Sequence, residues 1–229
     1  MYKLVIANRN YSSWSLRAWL FLTESNVPFE EFRIPMFTET WPAEIAAYSS
    51  AGRVPVLVDD EITVWDTTAI IEHVRETHAN SVGWPGTAEM RANARSISAE
   101  MHSGFLAIRG ELPQNIRARH VIGPGQLTHS CRSQISRIDE IWSDCHRKYG
   151  DSGAWLFGEF SVADIMFAPV ALRFVTYSIP VSEDARKFVD AVQKSASVRK
   201  WIAAAEAESE SISFIDELVP AASSPLTLG

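Results

Sequence analysis

The hydrophobic pattern of the chain changes character once. Over residues 1–80, short apolar runs alternate with helical stretches. Residues 2–7 (YKLVIA) predict a strand that ends at the turn-forming Asn8–Arg9–Asn10. Residues 14–24, rich in Leu, Ala and aromatics, predict a helix that closes before Asn26 and Pro28. Residues 29–34 predict a second strand, and residues 42–48 a short helix whose proline sits where a missing N–H costs nothing. The apolar runs 55–58 and 62–65 flank Asp59–Asp60–Glu61 at hairpin spacing. Asp66 then stands as N-cap of a helix over 67–78, with Ile70, Ile71 and Val74 as its apolar stripe. The predicted order is β-α-β-α-β-β-α, with a parallel first βαβ unit and an antiparallel last strand pair.

Residues 80–87 (NSVGWPGT) are turn-rich and mark a domain boundary. Beyond them the pattern is helical, with helices predicted over 88–110, 125–149, 162–177, 183–194 and 197–210. The expected organisation is therefore an α/β domain over 1–80 and an all-helical domain over 88–219. The small, polar, proline-containing segment 220–229 should be a flexible tail. A hydrophobic share of 46% in 229 residues is enough for a sizeable core. Net charge is −7, split as −5 over residues 1–80 and −2 beyond, so neither half offers a surface for nucleic acid or an anionic membrane. The start MYKLVIANRN shows no secretory pattern, and the longest apolar runs fall far short of the ~20 residues of a membrane span. The expected location is cytoplasmic. Cys131 and Cys145 should be isolated thiols, and His73 with His78 lacks a third ligand, so no metal is expected.

Four segments carry candidate chemistry. Ser161 and Asp164, flanked by Phe160 and Ile165, form a capping box with a hydrophobic staple, a structural device. Gly52–Arg53–Val54–Pro55 opens a strand with proline. That is either a plain edge-strand start or a cis bond that offers the Val54 backbone to an extended peptide-like ligand. Asp66–Thr67–Thr68 is either a plain N-cap or a helix start where a ligand carboxylate meets free N–H groups and an ammonium meets Asp66. Residues 10–15 (NYSSWS) place hydroxyls at the positive end of the first helix, either as caps or as stabilisers of a thiolate.

In this order and spacing the segments resemble the cytosolic glutathione transferase family over residues 1–215. Ser12 with Arg17 five residues on resembles the serine-type motif of the tau and zeta classes. Val54–Pro55 matches the family's cis-proline position, Asp66–Thr67 its Glu/Gln–Ser pair, and Ser161/Asp164 its helix-capping box. The resemblance implies a thioredoxin-like domain followed by a helical domain, glutathione as co-substrate, no metal, and a homodimer. It implies conjugation of glutathione to a small hydrophobic electrophile, or reduction of organic peroxides, with a non-catalytic binding or regulatory protein as the alternative. Ser12 would activate the thiol, with Ser13 or Tyr11 as alternates. Arg53, Val54, Pro55, Asp66 and Thr67 would hold the tripeptide, and Trp14, His102, Phe105 and Arg109 would line the second-substrate site. Arg109, Arg117, Arg119 and His120 form a cationic group able to attract an acidic acceptor. Two departures matter: Asp66 and Thr67 differ in size from the usual pair, and Trp14 replaces the zeta-class cysteine, which argues against maleylacetoacetate isomerisation.

Overall fold

The computed structural model describes residues 1–150 and 153–218. The predicted tail over 220–229 and the last residue of the predicted helical domain lie outside the described residues. The first domain is built on strands β1 (Tyr2–Ile6), β2 (Phe29–Arg33), β3 (Val56–Asp59) and β4 (Ile62–Trp65) in the order β2-β1-β3-β4. β1 pairs parallel with β2 and β3 pairs antiparallel with β4, as the pattern predicts, and β1 also pairs antiparallel with β3. Central β1 is the most apolar strand. The edge strands β2 and β4 contain no fully buried position, which suits a half-solvated edge.

Helices α1 (Ser13–Glu24) and α3 (Thr67–Thr77) cover one face, and α2 (Trp41–Ala46) covers the other. α1 is buried almost all round, because it is also the wall against which the second domain packs. Leu16, Leu20 and Phe21 of α1 share one core with Ile165, Phe167 and Phe174 of the helical domain, so the apolar interior runs unbroken across the boundary.

The helical domain holds α4 (Ala88–Ser103), α5 (Leu106–Glu111), α6 (His129–Tyr149), α7 (Val162–Thr176), α8 (Glu183–Lys194), α9 (Ala196–Glu206) and α10 (Ser213–Asp216). The single helix predicted over 88–110 is two helices. Gly104 leaves helical geometry (φ −109°, ψ −162°) and Phe105 adopts a left-handed conformation (φ 58°, ψ 39°). Arg109 holds the break by donating from Nε to the Gly104 carbonyl (3.1 Å) and from a terminal nitrogen to that of Met101 (2.6 Å). A Cβ on residue 104 would meet the Glu100 carbonyl oxygen at 2.7 Å, so only glycine fits. The helix predicted from residue 125 starts at His129 with Thr128 as its cap, and α10 lies where no helix was predicted.

α7 runs through the middle of the helical domain with nearly every side chain buried. Its start is held by Asp164, which accepts from the Ser161 N–H and hydroxyl (2.8 Å each) and from the Leu156 N–H (2.9 Å). Burial raises this carboxyl from its ordinary 3.8 to about 6, against hydrogen bonds that favour the charged form. Folding therefore penalises its ionisation. The stability it contributes is complete below pH ~4 and is lost as pH rises through about 6. We predict that Asp164→Ala, which orphans two buried N–H groups, lowers unfolding free energy in urea by about 3 kcal/mol or more. Relative to Asp164→Asn, the native chain should lose stability between pH 4 and 6, which pH-dependent urea melts would read.

Candidate functional site

The N-terminus of α3, the residues leading into β3, the start of α1 and the end of α4 meet around a cavity of about 470 Å³. Its lining includes Trp14, Arg53, Val54, Pro55, Asp66, Thr67 and His102, which gathers all five predicted tripeptide-binding residues and two of the predicted second-substrate residues. Ala51 and Trp65 complete it; neither carries a signal that sequence patterning detects.

The Val54–Pro55 peptide bond is cis. Val54 precedes the first paired residue of β3, and its backbone N–H and C=O take no partner among the described residues. Asp66 caps α3, accepting from the Thr68 N–H at 2.9 Å, with a backbone (φ 79°, ψ 137°) that L-residues rarely adopt. Such a conformation costs roughly 1–3 kcal/mol and is typical of sites where a side chain must be aimed. Thr67 is fully buried, and its hydroxyl has no partner among the described residues.

His102 enters this site from the helical domain. Its Nε2 lies 3.2 Å from the Asp66 carboxylate and its Nδ1 3.3 Å from the Thr68 hydroxyl, and its ring packs edge-on against Trp14. A residue expected at the second-substrate site is thus bonded to the predicted tripeptide site. Phe105 is buried in the main core away from the cavity, and Arg109 lies over the Trp14 ring at 4.7 Å.

The three hydroxyls proposed for thiol activation have different fates, and none lines the cavity. Ser12 is the N-cap of α1; it accepts from the Ser15 N–H (3.2 Å) and donates to the Ser15 hydroxyl (2.8 Å). Ser13 Oγ accepts from Arg173 at 3.1 Å, which leaves its own proton free. The Tyr11 hydroxyl donates to Asp216 (3.0 Å) and accepts from Arg117 (3.0 Å) and the Ile212 N–H (3.2 Å), locked under the C-terminal segment. Arg117 and Arg119 are spent on carbonyls: Arg117 on those of Glu208 and Glu210, Arg119 on those of Ile116 and Ala118. Among the described residues no group of three His, Cys, Asp or Glu side chains could hold a metal, and no helix is long and apolar enough to cross a membrane. Cys131 and Cys145 are free and buried, with thiols pushed up to about 11 and about 12 chiefly by burial.

Residues 11–77 match the family model of the glutathione S-transferase N-terminal domain. With the strand order and helical second domain described above, the chain thus carries a glutathione S-transferase N-terminal domain on that family's two-domain fold. A glutathione transferase homologue from Burkholderia, solved with bound glutathione, shares the fold at TM-score 0.66, with 21% identity over 90% of this chain and 99% of that one. Among curated relatives, a probable maleylacetoacetate isomerase from Caenorhabditis elegans is 32% identical over 42% of this chain and 44% of its own. A dichloromethane dehalogenase from Methylophilus leisingeri is 33% identical over 36% of this chain and 31% of its own. The match thus spans less than half the length of these relatives.

An unpartnered hydroxyl in a dry interior is a liability unless a ligand satisfies it. Thr67→Val should therefore raise stability by about 1 kcal/mol, a gain of roughly 2–4 °C in a thermal melt.

Proposed function

We propose that the cavity binds glutathione and that the chain transfers its sulfur to an electrophilic carbon of a small second substrate. The observation that carries this reading is the buried Thr67 hydroxyl, without a partner, at the open N-terminus of α3 in a cavity shared with the free backbone of Val54. Each half of a γ-glutamyl group has a counterpart there. Its carboxylate suits the Thr67 hydroxyl and the first-turn N–H groups, and its ammonium suits the Asp66 carboxylate. The cysteinyl amide would pair with Val54 as an added strand does, and Arg53 would meet the glycyl carboxylate. The bound glutathione of the Burkholderia homologue, on the same fold, supports this reading.

So held, the sulfur would lie toward Trp14 and the start of α1. A free thiol titrates near ~8.5, and lowering it by two units takes ~2.7 kcal/mol of preferential thiolate stabilisation. One hydrogen bond to the thiolate plus a helix N-terminus supplies that order of energy. Ser12, the first choice from the motif, spends its proton on Ser15; the Ser13 proton is free, but its hydroxyl faces α7 rather than the cavity, so Ser13 serves as the donor only if the sulfur reaches past Trp14. In conjugation the thiol proton passes to solvent, the thiolate forms the S–C bond, and the leaving group departs with its electron pair. The same thiolate would serve peroxide reduction. His102 would act as a positioning residue, aiming Asp66 from the helical domain.

A homodimer in the cytoplasm belongs to the same reading. An apolar hollow of about 530 Å³ between α3 and α4, lined by Ile71, Trp84 and Ala99, supports an association face. A second reading, a glutathione-fold protein that binds without catalysing, is favoured by one observation: Trp14, rather than the hydroxyl of Tyr11, Ser12 or Ser13, stands at the cavity wall.

Calorimetric titration with glutathione decides the binding step, and saturable binding at millimolar concentration or below is expected. Thr67→Val should weaken it about tenfold, the loss of one hydrogen bond to a charged group. Absence of binding to the native chain would overturn the proposal. With 1-chloro-2,4-dinitrobenzene as acceptor, Ser13→Ala should lower kcat at least tenfold. Ser12→Ala should act mainly on stability, by about 1 kcal/mol, through loss of the helix cap. Binding without turnover in the native chain would establish the second reading.

A further inference from the structure

Three guanidinium groups lie together where α1 meets the helical domain, and none has an acidic partner among the described residues. Arg17, fully buried, donates from Nε to the Met166 carbonyl (2.9 Å) and from one terminal nitrogen to the Ser13 carbonyl (3.2 Å); its other terminal nitrogen bonds nothing. Arg173, 5% exposed, reaches the Ser13 hydroxyl with one nitrogen, while its Nε and its other terminal nitrogen bond nothing. Arg109, besides its two bonds to the α4–α5 break, keeps one terminal nitrogen buried and unpartnered. Four buried N–H-bearing nitrogens around Ser13 and Trp14 therefore lack acceptors among the described residues.

Buried charges are as a rule paired, because desolvation penalises the charged form and like charges add to that penalty. Both effects act here. Arg17 is held well below its ordinary value by burial first and then by Arg109 and Arg173; Arg173 is lowered to about 9 by burial and then by Arg109. The electron-rich face of Trp14 offers partial compensation, with Arg17 at 4.5 Å and Arg109 at 4.7 Å from the ring centroid. Trp14 is half-buried and also forms part of the cavity wall, so two of the three guanidinium groups touch a side chain of the site already described.

We propose that Arg17, Arg109 and Arg173 form a subsite for a small carboxylate, entered from the cavity past the Trp14 indole. A planar carboxylate suits the cluster because it presents several lone pairs to forked donors and supplies the missing negative charge. The carboxylate comes either from a free small acid or from the second substrate itself. The site does not depend on glutathione binding, and its first test contains no glutathione.

In that test the full chain is melted while formate replaces chloride at constant ionic strength, with formamide as the neutral control. The native chain should show a saturable rise in melting temperature with formate and none with formamide. Arg173→Gln and Arg109→Gln should each abolish the response, and Arg173→Gln should melt no lower than the native chain in chloride, since it removes an uncompensated charge. Should Arg173→Gln fail to fold, the half-buried Arg109→Gln decides alone. No formate response in the native chain, or an unchanged response in both variants, would overturn the proposal. The source is read by conjugation of 4-chloro-3-nitrobenzoate against its methyl ester. A tenfold loss of kcat/KM in Arg109→Gln for the acid alone assigns the subsite to the second substrate's carboxylate. Equal effects on acid and ester, with the formate response intact in the native chain, assign it to a free small acid.

Discussion

Asn10 is the point on which the two domains turn. It is fully buried, and each of its polar groups has a partner on another part of the chain. Its backbone N–H donates to Glu208 (3.2 Å) and its carbonyl accepts from Ile116 (3.1 Å). Its side-chain amide donates to Asn115 (2.9 Å) and accepts from the Arg117 N–H (2.8 Å). Asn8 works beside it, with its carbonyl closing the turn to Ser12 and its side chain accepting from Met36. A polar network in a low-dielectric interior is stabilising only when complete, and then it permits a single arrangement. The β1–α1 turn is therefore held at once by its own domain, by the segment after α5 and by the segment after α9.

That constraint sets the position of everything in the site. With the start of α1 fixed, Trp14 faces the cavity from one side while Ser13 faces α7. The helical domain completes the wall beside Trp14 through His102. Most of the polar groups at this junction are satisfied; those without a partner among the described residues include the Thr67 hydroxyl, nitrogens of three arginines and the side-chain amide of Gln114. Such exceptions concentrate where a protein expects a ligand, because a fold that had no use for them would gain stability by replacing them.

Much of this was legible in the sequence, for identifiable reasons. The strand–helix alternation of residues 1–80 follows periods of two and 3.6, which depend on each segment alone. The Asp66 cap and the Asp164 box are likewise local. The α4–α5 break was not legible, because Gly104 within a helical pattern also fits an uninterrupted helix; the bend is held by Arg109, whose reach depends on the bend itself. Ser12 was readable as a cap or as a catalytic hydroxyl, but not the loss of its proton to Ser15 three residues on. Arg173 lies far from Ser13 in the chain, and only the packing of α1 on α7 brings it there, beside Arg17. The Tyr11–Asp216 link has the same origin: it spans most of the chain and leaves no periodic trace.

The Gly104 hinge has a reach beyond its own backbone. Because α5 starts afresh there, its direction is independent of α4, and Arg109 swings back over an indole that belongs to the other domain. A larger residue at 104 would displace the Glu100 carbonyl and straighten the pair into one rod. The arginine would then leave the aromatic face, and a surface built by two domains would revert to the property of one. A missing methyl group thus decides whether the two halves of this molecule share a charge.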